Sequence, residues 1–266
     1  MEKTEIKDLL ETLHNKYNNT DFIETDPISI PHNFGTKENI EISGFLASAI
    51  AWGNRKAIVK SAMQMMKYMD NQPYDFITTA SEKEIQHLST FVYRTFNGHD
   101  LMYFVRALRQ FCIKFGSIGN FFEREFADSR DIRTVLSRFR LQFFELPHDK
   151  HCQKHISSID RGAACKRLNM YIRWMVRKDK RGVDFGLWKT VPMSAIYLPL
   201  DVHSGNMGRA LGLLSRKQND WKAVEEVTQN LREFDAEDPV RFDFALFGAG
   251  INQFGKNNSQ AEPYIV

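Results

Sequence analysis

Apolar residues recur at helical spacing along nearly the whole chain. Between residues 3 and 18, Ile6, Leu9, Leu10, Leu13 and Tyr17 share one face. Residues 37–52 continue the pattern with Ile40, Ile42, Phe45, Leu46 and Ile50, and the small apolar run GFLASAIAW suits a buried helix. Gly53-Asn54 interrupts it, and Asn54 can cap a helix over 55–69. Ser81 and Glu84 have capping-box spacing for a short helix to about residue 88. Helical patterns follow over 99–115, 117–126 and 130–146, the last with Ile132, Val135, Leu136, Phe139, Phe143 and Phe144 among arginines. Further helices are predicted over 162–178, 201–214 and 219–233, and Asp238-Pro239 is a start signal for the final one. Residues 19–36, 147–161 and the stretch KDKRGVDFGLWKTVP are irregular, and the tail 256–266 is expected to fray. No period-two alternation or internal repeat stands out. The pattern predicts an all-α fold of about ten helices.

The chain has 266 residues, 42% of them hydrophobic and 26% charged, enough for a sizeable core rich in its 21 Phe. A net charge of +3 is too mild to imply a polyanionic partner, so clustering of the basic residues decides that question. Cys112, Cys152 and Cys165 cannot all pair, which fits a reducing compartment and excludes a four-cysteine metal site. The N-terminus is charged from its second residue, unlike a signal peptide, and no apolar run reaches the ~20 residues of a membrane helix. These features predict a cytoplasmic protein.

Candidate chemistry gathers between residues 162 and 212. Wound at about 100° per residue, Lys166, Asn169, Arg173 and Arg177 fall within about 60° of one line, with Leu168, Tyr171, Ile172 and Met175 opposite. That predicts one buried face and one basic face, which either tracks a phosphate backbone or is a solvated helix surface. Lys166 lies in the first turn, where the helix dipole and the neighbouring Arg167 and Arg173 should lower its pKa. A neutral amine is a nucleophile; the plainer alternative is a lysine that snorkels to water. Asp201 stands where a helix begins, as an N-cap held ionised by backbone amides. His203, two residues on, either meets a phosphate or belongs to the core.

The segment PLDVHSGNMGRALGL resembles the part of helix–hairpin–helix DNA glycosylases that reads roughly P-V-D-V/T-H before an Arg-containing helix. The resemblance implies that Asp201 is the catalytic carboxylate and that His203 contacts phosphate. It also implies a hairpin G-x-G-x-K whose Lys is the nucleophile. Gly162-Ala163-Ala164-Cys165-Lys166 keeps the first Gly and the Lys but has Ala164 in place of the second Gly. The separation of 35 residues from Lys166 to Asp201 is closer to the archaeal 8-oxoguanine glycosylase branch than to the endonuclease III branch. Lys178 and Lys180 are rival amines. SAIAWGNRKAI resembles the turn that fills the hole left by a flipped base, which implies that role for Asn54 and Arg55. FDFALFGAG falls where such enzymes line the base pocket, which implies Phe244 and Phe247, unless their helical spacing makes them core. The chain also resembles a bacterial DUF2400-type family marked by CKRLNMYIRWMVR, VDFGLWK and DFALFGAG, whose name implies no activity.

The implied function is a bifunctional repair glycosylase acting on an oxidised purine such as 8-oxoguanine in double-stranded DNA, as a monomer without a cofactor and in the bacterial nucleoid. DNA contacts would come from Asn54, Arg55, Gly162, Asn169, Arg173, Arg177 and His203. Two helical subdomains are implied, residues 1–36 with 191–266 and residues 37–190, with Lys166 facing Asp201 across a cleft. The competing readings are a DNA-binding protein that keeps the fold without the chemistry and an interaction protein with no nucleic-acid role. The spacing of His148, His151, Cys152 and His155 resembles zinc ligation. It lies in a polar loop with no second cluster of standard spacing, so no metal is expected.

Overall fold

Caps legible in the sequence start several helices. Asn54 Oδ1 accepts the Ala57 amide, Ser81 and Glu84 bond reciprocally, and Asp201 Oδ1 accepts the Ser204 amide. The computed structural model describes residues 1–255, so the frayed tail expected at 256–266 lies outside the described residues. Among them the helices run α1 (Lys3–Tyr17), α2 (Asp21–Thr25), α3 (Lys37–Ala49), α4 (Arg55–Tyr68), α5 (Pro73–Thr79), α6 (Glu82–Gln86), α7 (Gly98–Phe115), α8 (Ile118–Ser129), α9 (Ile132–Phe143), α10 (Lys166–Val176), α11 (Val202–Ala210), α12 (Trp221–Arg232) and α13 (Asp243–Gly255). Short 3-10 turns punctuate the segments expected to be irregular, including Lys150–His155 and Ile159–Arg161. One small hairpin, β1 (Val92–Tyr93) against β2 (Phe96–Asn97), departs from the purely helical expectation. Two residues per strand are too few to show alternation in sequence. Among the described residues, no helix is long and apolar enough to cross a membrane.

The apolar stripes of α3, α7, α8 and α9 meet in an aromatic core of Phe45, Phe104, Phe111, Phe122, Phe139 and Phe143, all fully buried. Most of their rings meet edge-on or tilted, as Phe104 does with Phe143 at 4.8 Å, while Phe45 stacks on Phe104 at 6.0 Å. Truncating one such ring costs about 3–5 kcal/mol. One carboxylate lies within this core. Glu41 accepts from the indole of Trp188 at 2.9 Å and from the Gly119 amide at 3.2 Å, and burial raises its pKa. A Cβ on Gly119 would stand 2.1 Å from Glu41 Oε1, so glycine is required where α8 crosses this acid.

Beside this core, α10 packs on α3, while α1 and α11 both pack on α13. The turn before α10 is tied to the start of α12: the Trp221 amide donates to Gly162 O at 2.9 Å, and Ala163 bridges Asp220. Asn219, in the same stretch, donates to Asp201 O at 2.9 Å. These bonds hold the first turn of α10 beside the first turn of α11.

The basic face expected on α10 is not exposed. Every residue from Leu168 to Arg177 is buried. Arg173 donates to Asp184 at 3.3 Å and to Asp243; Arg177 donates to Asp184 at 3.0 Å and Asp238 at 2.9 Å and pairs with Asp179 at 2.8 Å. Asp184 comes from the irregular VDFGLWK segment, whose backbone caps α10 through Phe185 N to Trp174 O at 2.8 Å. Two guanidiniums thus satisfy carboxylates from two later segments. Water could not solvate these charges here, so pairing is what makes their burial tolerable.

Candidate functional site

The first turns of α10 and α11 open onto a cleft of about 750 Å³. Lys166, the first residue of α10, places its Nζ 3.7 Å from Asp201 Oδ2. The two oxygens of Asp201 have different work. Oδ1 accepts from the Ser204 amide at 2.9 Å and the Ser204 hydroxyl at 3.0 Å, while Oδ2 faces the amine. The cap therefore occupies one carboxylate oxygen and leaves the other turned to the amine. The rival amines Lys178 and Lys180 are exposed and do not line the cleft.

Two further carboxylates line the same cavity. Asp26 caps a 3-10 turn through the Ile28 amide at 3.1 Å and lies 3.8 Å from Arg55, and burial raises its pKa. Burial pushes the Asp243 pKa up to about 6, with Arg173 opposing and Asp201 adding to the rise. Lys166 exerts a field on both acids. Neither acid stood out in the sequence: Asp26 sits in a stretch that read as loop, and Asp243 inside the apolar run of the last predicted helix.

Of the other expected residues, Arg55, His203 and Phe247 line the cleft, and the Arg55 guanidinium lies 4.7 Å from the Phe247 ring centre. His203 Nδ1 is buried without a partner. Asn54 is exposed and does not line the cleft; its side-chain oxygen caps α4. Phe244 is buried between Arg173 and Arg177, 4.5 and 5.5 Å from their guanidinium carbons, and does not reach the cavity. This corrects its expected place in a base pocket: helical spacing makes it core. Asn169 is also buried, donating to Ala164 O at 3.1 Å. Arg173 touches the cleft only as part of its ion-pair network, and Arg177 does not line it. A phosphate therefore cannot take these three side chains without breaking buried bonds. The Gly162 and Ala163 amides already bond to Ile159 O at 2.8 Å and Ser158 O at 3.2 Å, with Gly162 in the left-handed region at φ 78°. Those two amides are thus not free donors, which corrects Gly162 as a DNA contact.

Two residues missed in the sequence build the opposite wall. Trp52, at the end of GFLASAIAW, lines the cleft with the Arg167 guanidinium 4.8 Å from its ring. Arg167 donates to Ala49 O and, at 3.3 Å, to Lys154 O, and burial without a carboxylate partner lowers its pKa to about 10. The break after Trp52 was the available signal, since an aromatic residue at a helix end faces whatever the turn opens onto.

The cleft thus combines an amine, three carboxylates, the guanidiniums of Arg55 and Arg167, and aromatic walls from Trp52, Phe22 and Phe247. Such a set can bind a planar ring and polarise a bond next to it. No curated protein matches the chain, and no solved structure matches it. A family model described as protein of unknown function (DUF2400) matches residues 26–252, and the chain belongs to that family.

Proposed function

We propose that this protein is a DNA repair glycosylase with lyase activity, acting on an oxidised purine such as 8-oxoguanine flipped out of double-stranded DNA. The observation that carries the reading is the Lys166 amine 3.7 Å from the free oxygen of Asp201, inside a cleft of about 750 Å³. That volume is in the range of sites that enclose small molecules, and a base must leave the stack before its sugar can be attacked. Trp52 and Phe247 provide ring surfaces for an extruded base, and Arg55, Arg167 and His203 provide polar contacts around it. The helical subdomains 1–36 with 191–266 and 37–190 would flank the duplex.

In the reaction, the Lys166 amine, once it has given up its proton, attacks the anomeric carbon, and the glycosidic bond breaks with its electron pair leaving on the base. Asp201 stabilises positive charge at the sugar. The sugar ring opens to a protonated Schiff base. Loss of a proton from the adjacent carbon then expels the 3′ phosphate, and water releases the lysine. Borohydride treatment of enzyme mixed with duplexes carrying single lesions tests this. A covalent adduct, absent in Lys166→Gln, is expected. Salt-dependent binding with no adduct on any lesion or abasic site would instead identify a non-catalytic DNA-binding protein.

A further inference from the structure

The residues His151 and His155, expected to belong to an irregular loop, converge on a carboxylate that is remote in sequence. Asp100, in the first turn of α7, is 1% exposed and fixed by a capping box with Asn97. Its Oδ1 lies 2.9 Å from His151 Nδ1 and its Oδ2 lies 3.1 Å from His155 Nε2. One donor atom from each of the three residues lies within 4.8 Å of the others. A tetrahedral zinc site with bonds of about 2.0 Å has edges of about 3.3 Å between donor atoms. The two carboxylate–imidazole separations are within a few tenths of an ångström of that edge, and the widest separation among the donors has at most about 1.5 Å to close, which rotation of the half-exposed His151 ring can supply.

We propose that Asp100, His151 and His155 bind a divalent zinc-type ion, with water completing the coordination on the exposed side of His151. This holds whether or not the cleft excises bases. The donor set, two imidazoles and a carboxylate, is what zinc selects. Both inner ligands are oriented before any ion binds: Asp100 by its cap, and His155 by stacking on Trp52 at 5.7 Å and by the edge of Phe96 at 4.7 Å. His148 is not a ligand, because its ring bonds to Leu146 O at 2.8 Å and Gln153 at 2.9 Å. Lys154 stands 2.5 Å from His151 Nε2. Coordination through Nδ1 moves the ring proton to Nε2, so the exposed Lys154 side chain swings away. Trp52 is both the stacking partner of His155 and a wall of the cleft, so the ion would anchor that wall from behind.

The test uses the full chain, stripped with chelator and dialysed against zinc chloride alone. One zinc per chain by mass spectrometry is expected, with a zinc-dependent rise in thermal midpoint. His151→Gln, at a half-exposed position that tolerates change, should weaken zinc binding at least about tenfold, while His87→Gln should not. The proposal fails if zinc binds substoichiometrically, or if His151→Gln binds zinc as the wild type does. It also fails if His151→Gln lowers the midpoint of a protein that shows no zinc response. That last result would leave the two rings as hydrogen-bond donors to a buried acid.

Discussion

Arg177→Ala separates a solvated basic face from a buried ion-pair network. Arg177 is 1% exposed, and its three nitrogens reach Asp238, Asp184 and Asp179 at 2.9, 3.0 and 2.8 Å. Removing it leaves Asp184 buried with Arg173 as its remaining ion-pair partner and Asp238 with only the weaker field of Arg241, and removes the cation lying 5.5 Å from the Phe244 ring. Breaking a buried pair from one side costs about 3–5 kcal/mol, because the remaining charge cannot be hydrated. With an unfolding entropy of about 2 cal/mol/K per residue, a 4 kcal/mol loss in a chain of this size lowers the thermal midpoint by about 7 °C. Urea titration and thermal melts of both proteins measure it. A double-mutant cycle of Arg177→Met with Asp238→Asn should show coupling of about 1–3 kcal/mol. A cost below about 1 kcal/mol, the range of exposed pairs, would refute the account and return α10 to a solvated helix with a basic face.

Asp201→Asn should keep the helix cap, with stability within a few tenths of a kcal/mol of wild type, yet abolish the borohydride adduct, whereas Asp201→Ala should also lose about 1 kcal/mol of stability; an adduct that survives in the Asn variant would remove the carboxylate from the chemistry. Gly119→Ala should destabilise by about 1–3 kcal/mol on chemical denaturation, since its Cβ would meet Glu41 Oε1 at 2.1 Å and Trp188 Nε1 at 2.4 Å; an unchanged midpoint would mean that this pair moves freely. Burial lowers the His14 pKa to about 4, against a stabilising bond from its ring to Arg241 O at 2.9 Å. As pH falls from about 6.5 towards 4 the unfolded chain takes up a proton that the native ring refuses, so up to about 3 kcal/mol of stability is lost over that window. His14→Gln should flatten this part of the pH–stability curve, and parallel curves for the two proteins would contradict the assignment.

Most helix positions and their caps were legible in the sequence, because they rest on local rules, period 3.6 and cap chemistry; α2, inside the stretch expected to be irregular, and α5, of five and seven residues, are too short to show that period. Asn54, Ser81 and Asp201 cap where their side chains predict, and Lys166 meets Asp201 as the motif implies. The 3.6-residue period of α10 also placed Lys166, Asn169, Arg173 and Arg177 on one line, but it could not say what lies against that line. Carboxylates from residues 184, 238 and 243 do, and their separation in sequence hid the pairing. The same holds for Asp100, more than fifty residues from the histidines it joins, and for Trp52 and Asp26 in the cleft wall. A helix face is fixed by its own residues, whereas whether that face meets water or an opposing charge is decided only when distant segments pack, since burial and pairing are properties of the assembled interior.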